Sequence, residues 1–163
     1  MADWFVVNAR DARWVWNEMG GYCNFEDGET RFEQIGINLN ALHPGVPMAM
    51  YHEEPAQEDF LVLEGEALLI VEGEERPLKA WDFVHCPPHT NHMIVGAGDG
   101  PCTVLAVGAR EHQAGRGWGG YPVDGVALRH GAGVEEETSD VQVAYKGFAA
   151  SEPTRYRDGL LPW

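Results

Sequence analysis

His52 and Glu54 stand two residues apart in the run GVPMAMYHEEPAQEDFLVLEG, which spans Gly45 to Gly65. In an extended segment such residues leave the same face of the chain, which is how a β-scaffold offers two metal ligands at once. Glu58 follows after a short turn carried by Pro55 and Ala56. His92 ends a second polar cluster, PPHTNH from Pro87, and opens the apolar run His-Met-Ile-Val. Two imidazoles and two carboxylates near strand ends can close around one divalent ion of the borderline class, with Fe, Mn, Ni, Zn and Cu all acceptable. Glu54 has several roles open to it: fourth ligand, hydrogen-bonding partner of a ligand, general base, or surface residue of the Glu53-Glu54-Pro55 turn. As an acid–base group it is the catalytic candidate.

The elements that must position these residues read as short strands. Ile35, Ile37 and Leu39 alternate with Gln34, Gly36, Asn38 and Asn40, the period of a half-buried strand within Phe32 to Leu42. Met48 and Met50 share parity with His52 and Glu54, so they either fill core or form a soft wall beside the ion. From Glu58 the inward parity continues through Phe60, Val62 and Glu64. Gly65-Glu66 turns the chain into Ala67 to Val71, and Glu72 to Glu75 reads as a hairpin tip. Phe83 to Cys86 is a strand stopped by Pro87-Pro88, and His92 to Gly96 with Cys102 to Gly108 reads as another hairpin. Seven or eight such strands in hairpin order make an all-β, antiparallel jelly roll. Trp4 to Val7 is expected to add an edge strand, Ala9 to Met19 a short helical turn, and Val141 to Tyr145 a short strand. Gly20-Gly21 and Asp27-Gly28 punctuate a hairpin-like region. Glu111 to Gly133 is glycine-rich without periodicity, and the terminal Leu160-Leu161-Pro162-Trp163 is expected to wrap the barrel or a partner subunit.

The spacing of these residues resembles the two motifs of the cupin superfamily. Gly45, His52, Glu58 and Gly65 fall on the first motif, with Glu54 where its second histidine usually stands. Pro87, Pro88, His89, Thr90, Asn91 and His92 resemble the second, Pro-x-Gly-x-x-His, with His89 in the glycine position. Fifteen residues separate Gly65 from Trp81, where the second motif would start. The resemblance spans Leu39 to Ala109. It implies a double-stranded β-helix, the jelly-roll cupin barrel, as one domain over 1–163, with a barrel core at about 32–109, an irregular N-terminal extension 1–31 and a C-terminal arm 110–163. It also implies one divalent metal ion per chain, held by His52, Glu54, Glu58 and His92, and metal-assisted chemistry on a small organic molecule. Dioxygenase, isomerase and decarboxylase chemistries all occur on this scaffold, which fixes none of them. The reading from a different class is a non-catalytic protein whose barrel senses a small molecule or a metal.

A chain of 163 residues is long enough to bury a core without staples. Its formal charge of -15, from 11 basic and 26 acidic residues, repels nucleic acid and anionic membranes at long range. Cys23, Cys86 and Cys102 are odd in number and widely spaced, the pattern of reduced thiols, so a cytoplasmic location is expected. No apolar run approaches a membrane span, and Met1 to Trp4 lack a basic leader. No Ser-His-Asp set or dinucleotide fingerprint competes with the metal reading. His85 and His89 flank the second motif with side-chain directions left open by the sequence, and His43, His112 and His130 have no motif around them. Open jelly-roll edges and apolar arms at Trp4 to Val7 and Leu160 to Trp163 favour a homodimer.

Overall fold

The computed structural model describes residues 4–26, 31–110, 119–149, 152–159 and 161. Ten strands and two short helices occur among them: β1 Arg13–Asn17, β2 Gly20–Asn24, β3 Ile35–Leu42, β4 Glu58–Glu64, β5 Glu66–Val71, β6 Glu74–Lys79, β7 Phe83–Cys86, β8 His92–Ala97, β9 Cys102–Ala109, α1 Gly125–Arg129, α2 Val141–Ala144 and β10 Glu152–Thr154. Strand alternation decides what they bury. Phe60 and Val62 of β4, Val104 and Ala106 of β9, Val84 and Cys86 of β7 and Leu42 of β3 pack against Ala67 and Leu69 of β5 and Ile94 of β8. Two apolar sheet faces closed on one another in this way form the jelly roll. The large sheet runs β10-β1-β2-β3-β9-β4-β7 and the small one β6-β5-β8. Every pairing is antiparallel.

The chain changes sheets at Gly65, between β4 and β5. Its φ is +76°, and a Cβ there would lie 2.6 Å from the Pro101 carbonyl oxygen, so glycine is needed for both conformation and space. Glu72 and Gly73, both at positive φ, make the two-residue turn of the β5–β6 hairpin in register Val71 to Glu74. Strands β8 and β9, expected as a hairpin, lie in different sheets. β8 pairs with β5, whereas β9 is taken on both edges by β3 and β4. His92 and Ile94 can then face Val104 and Ala106 from opposite walls of one core.

Three expectations at the chain's ends give way to tertiary packing. Ala9 to Met19 contains strand β1 in place of a helical turn, because Trp14 is fully buried with Cys23, Leu39, Ala41 and Leu161 and stacks on Trp16 at 5.5 Å. Trp4 to Val7 forms no strand; the free edge of β1 is occupied by β10, through Trp14 to Thr154 and Trp16 to Glu152. Val141 to Tyr145 holds the helical turn α2, because the Asp140 carboxylate accepts the Gln142 N–H at 2.8 Å and caps it. Asp124 caps α1 in the same manner, and Ala127 with Ala132 covers Ile70, Met93 and Val95 on the outer face of the small sheet. Leu161 returns to its own barrel as part of the Trp14 cluster. The rest of Leu160 to Trp163, Asp27-Gly28 and Glu111 to Trp118 lie outside the described residues. No helix among those described is long and apolar enough to cross a membrane.

The burial of Trp14 makes the N-terminal hairpin part of the core. Trp14→Ala is expected to cost about 3–5 kcal/mol, the range for emptying a large aromatic site. Denaturant unfolding followed by circular dichroism measures it, and a loss under about 1 kcal/mol would show that the hairpin only decorates the barrel.

Candidate metal centre

The site begins as a backbone event. His52 and His92 exchange both main-chain hydrogen bonds, the His92 N–H reaching the His52 carbonyl at 2.9 Å and the His52 N–H reaching the His92 carbonyl at 3.2 Å. An antiparallel pair of this kind sets two side chains directly opposite each other, and the imidazole centroids stand 4.9 Å apart. Glu58 opens β4 with the parity of Phe60 and Val62, so it points into the same space. Glu58 Oε2 lies 3.2 Å from His92 Nε2 and 3.7 Å from His52 Nε2. Ligand atoms of His52, Glu58 and His92 all lie within 4.8 Å of one another.

Hydrogen bonds fix which nitrogen faces that space. His52 Nδ1 is 2.6 Å from the Met50 carbonyl and His92 Nδ1 is 2.9 Å from the Thr90 carbonyl. A carbonyl oxygen only accepts, so each Nδ1 carries the proton and each Nε2 turns its lone pair inward. His92 Nε2 and Glu58 Oε2 are buried without a hydrogen-bond partner; their 3.2 Å approach is an ion-pair contact without hydrogen-bond alignment. Neutral imidazole and carboxylate are both acceptors and repel unless a proton or a cation lies between them. Burial and the neighbouring His92 charge hold His52 below its usual range, against the pull of Glu58. At His92 burial acts in the same direction, but the Glu58 carboxylate outweighs it and raises the ring. Burial pushes the Glu58 carboxyl up, and the two imidazoles, His92 foremost, bring it below the usual carboxylate range. Two oriented imidazoles, a carboxylate and orphaned inward atoms fit a divalent transition ion.

Glu54 stands beside this trio and not within it. Its Oε1 is 3.9 Å from His52 Nε2, and burial, then the charge of Glu58, pushes its carboxyl up to about 7. Between them Glu53 turns aside to His89, with Oε2 to Nδ1 at 2.7 Å. His89 occupies the motif's glycine position with φ +66°, and its N–H holds the Glu54 carbonyl at 2.7 Å. A non-glycine residue takes that conformation at a cost, here met by a hydrogen bond at each end of the residue. The His89 side chain is exposed, and so is His85, paired outward with Asp59 at 2.7 Å. His43 and Gln57 are exposed, and His130 pairs with Glu75 at 2.9 Å. His112 lies outside the described residues.

The C-terminal arm supplies residues that the sequence reading missed. Glu53 and Gly120 exchange backbone hydrogen bonds of 3.0 and 3.1 Å, and a Cβ on Gly119 would sit 1.9 Å from the Glu53 carbonyl oxygen. Tyr121 is fully buried, with its ring 6.2 Å from that of His52 and 6.0 Å from that of Tyr145. The Met50 N–H donates to the Tyr145 hydroxyl at 3.0 Å. The only sequence signal was the Gly-Gly pair before Tyr121, where one backbone must approach another closely.

The family model described as "Cupin domain" matches residues 39–108, and the chain carries a cupin domain there. It is similar to a sugar phosphate isomerase of the cupin superfamily from Silicibacter pomeroyi, at 30% identity and a TM-score of 0.50, over 63% of this chain and 62% of that one. The chain thus spans less than two thirds of that relative. A predicted oxalate decarboxylase from Thermotoga maritima is 21% identical with a TM-score of 0.56, covering 64% of this chain and 98% of the other. The polyketide cyclase RemF from Streptomyces resistomycificus is 16% identical with a TM-score of 0.55, over 66% and 80%. These last two share the fold. None of the curated proteins matches the chain in sequence.

Metal content should follow the trio. His52→Ala and His92→Ala are expected to lose bound metal and the melting shift produced by a chelator, whereas His43→Ala and His130→Ala keep both. At a hundredfold excess over its Kd an ion stabilises the fold by about 2.7 kcal/mol, the shift that chelation removes. Because the His92 value is raised, its Nε2 proton is held to a pH above the ordinary ~6.5, and an ion must displace it. Affinity should therefore decline by about tenfold per pH unit once the pH falls through that raised value. A titration between pH 5 and 9 that leaves affinity flat would show that His92 is no ligand.

Proposed function

We propose that the protein holds one divalent metal ion at His52 Nε2, His92 Nε2 and the Glu58 carboxylate and acts on a small organic molecule. The observation that carries this reading is the convergence of two carbonyl-fixed imidazoles on a carboxylate whose buried Oε2, like His92 Nε2, has no hydrogen-bond partner among the described residues. When bound, the ion supplies Lewis-acid polarisation of a substrate oxygen. The chain's own residues do the remainder. Met50 and Thr90 carbonyls orient the rings, Tyr121 and the arm exclude water, and Glu54 is placed to accept and return a proton. A single acid–base carboxylate beside a polarising centre suits isomerisation by proton transfer next to a carbonyl, and the likeness to an isomerase at 30% identity supports that class. The competing reading, a non-catalytic binder, is favoured by the low exposure of His52 and His92, at 7% and 2%. Against it stands Glu54, a half-buried carboxylate that a simple ion holder does not need. Pairing as a homodimer belongs to the same proposal, supported by the exposed Trp81 and Phe83 at the β7 edge; a monomeric mass by light scattering at micromolar concentration would remove it.

Glu54→Gln separates these roles. An acid–base Glu54 gives a variant with wild-type metal content that loses turnover about 10²–10⁴-fold. Loss of metal in Glu54→Gln would make the residue a ligand, unchanged turnover would remove it from the acid–base role, and a metal-loaded wild type that binds small carbonyl compounds without turning them over would leave the binder.

A further inference from the structure

A cavity of about 420 Å³ lies between the β1–β2 hairpin, β3 and the C-terminal arm, and none of His52, Glu54, Glu58 and His92 lines it. Asn17, Met19, Asn40, Met48, Tyr145 and Phe148 form its principal walls, and none of its lining residues carries a charge. That is informative in a chain with 37 Asp, Glu, Lys and Arg side chains, the sum of 26 acidic and 11 basic. Phe148 and Tyr145 meet at 6.1 Å in a tilted aromatic corner, facing two methionines whose thioethers suit flat rings. Asn40 is 7% exposed, and its Nδ2 donates to Asn38 Oδ1 at 2.7 Å, which orients the amide at the cavity wall. A phosphate dianion would find no lysine, arginine or histidine in this lining, and Glu54 beyond Tyr145 would repel it. Tyr145 also joins cavity to centre: its hydroxyl accepts the Met50 N–H, and the Met50 carbonyl accepts from His52 Nδ1.

We propose that this cavity is a ligand pocket, and that it takes an uncharged molecule with a flat apolar body and one or two hydroxyl or carbonyl groups, not a sugar phosphate. It meets the metal centre through Tyr145 and Met50, and as a binding site it stands on its own lining. The ring of the ligand packs on Phe148 and Tyr145, and its polar group meets Asn40 or Asn17.

Titration calorimetry with 2-naphthol and 2-naphthyl phosphate, the same ring without and with the charge, tests this on the full chain. 2-Naphthol is expected to bind at least about tenfold more tightly than the phosphate. Phe148→Ala should weaken 2-naphthol by about tenfold with metal content unchanged, and Phe148→Leu, which keeps volume and fold, should weaken it several-fold, roughly 3- to 5-fold. His52→Ala should lose metal yet retain 2-naphthol binding. Equal or tighter binding of the phosphate, or 2-naphthol affinity untouched by both Phe148 variants, overturns the proposal. A wild type without metal that still binds 2-naphthol in a Phe148-dependent manner supports the pocket and shows it to be independent of the metal centre.

Discussion

Three acceptor groups, His52, His92 and Glu58, converge within 4.8 Å of one another, and His92 Nε2 and Glu58 Oε2 find no hydrogen-bond donor among the described residues. Acceptors at such distances repel, and burial strengthens that repulsion by removing water. The arrangement persists because the barrel imposes it. Glu58 is tied into the large sheet through Cys86 and Gly108, and His92 into the small sheet through Val71. His52 is locked to His92 by two backbone hydrogen bonds. The fold thus holds a site that positive charge completes, either a proton on His92 or a cation shared by all three residues.

Much of this was legible because alternation and spacing are local signals. Strands β3 to β5 and β7 to β9 fall where the apolar period put them, whereas β6, exposed along almost its whole length, has no such period and starts inside the expected hairpin tip. What was not legible depends on contacts distant in sequence. Nothing between Ala9 and Met19 shows that Trp14 will be sealed by Leu161, so the hairpin β1–β2 reads as irregular until the tail arrives. The crossing between β8 and β9 follows from both strands having to face one core, and a turn sequence alone does not report it. Tyr121 lacks periodic neighbours, and its place beside His52 is set by Gly119 and Gly120 lying against Glu53.

The two extensions divide the work. The N-terminal hairpin and β10 widen the large sheet and bury Trp14, so they serve the barrel's stability. The arm from Gly119 to Phe148 crosses the other way. It lays Ala127 and Ala132 on the small sheet and Tyr121 and Tyr145 beside the site, giving the jelly roll an aromatic cover that its own strands do not supply.

Glu53 gives both of its backbone hydrogen bonds to Gly120, and its chain neighbours are His52 and Glu54. The arm's anchor is therefore spliced between two residues of the site, while His52 itself stays tied to His92. Lifting the arm would free Glu53 and leave the His52–His92 pair standing. The two imidazoles thus belong to the barrel, and the cover above them hangs on one glycine-lined seam.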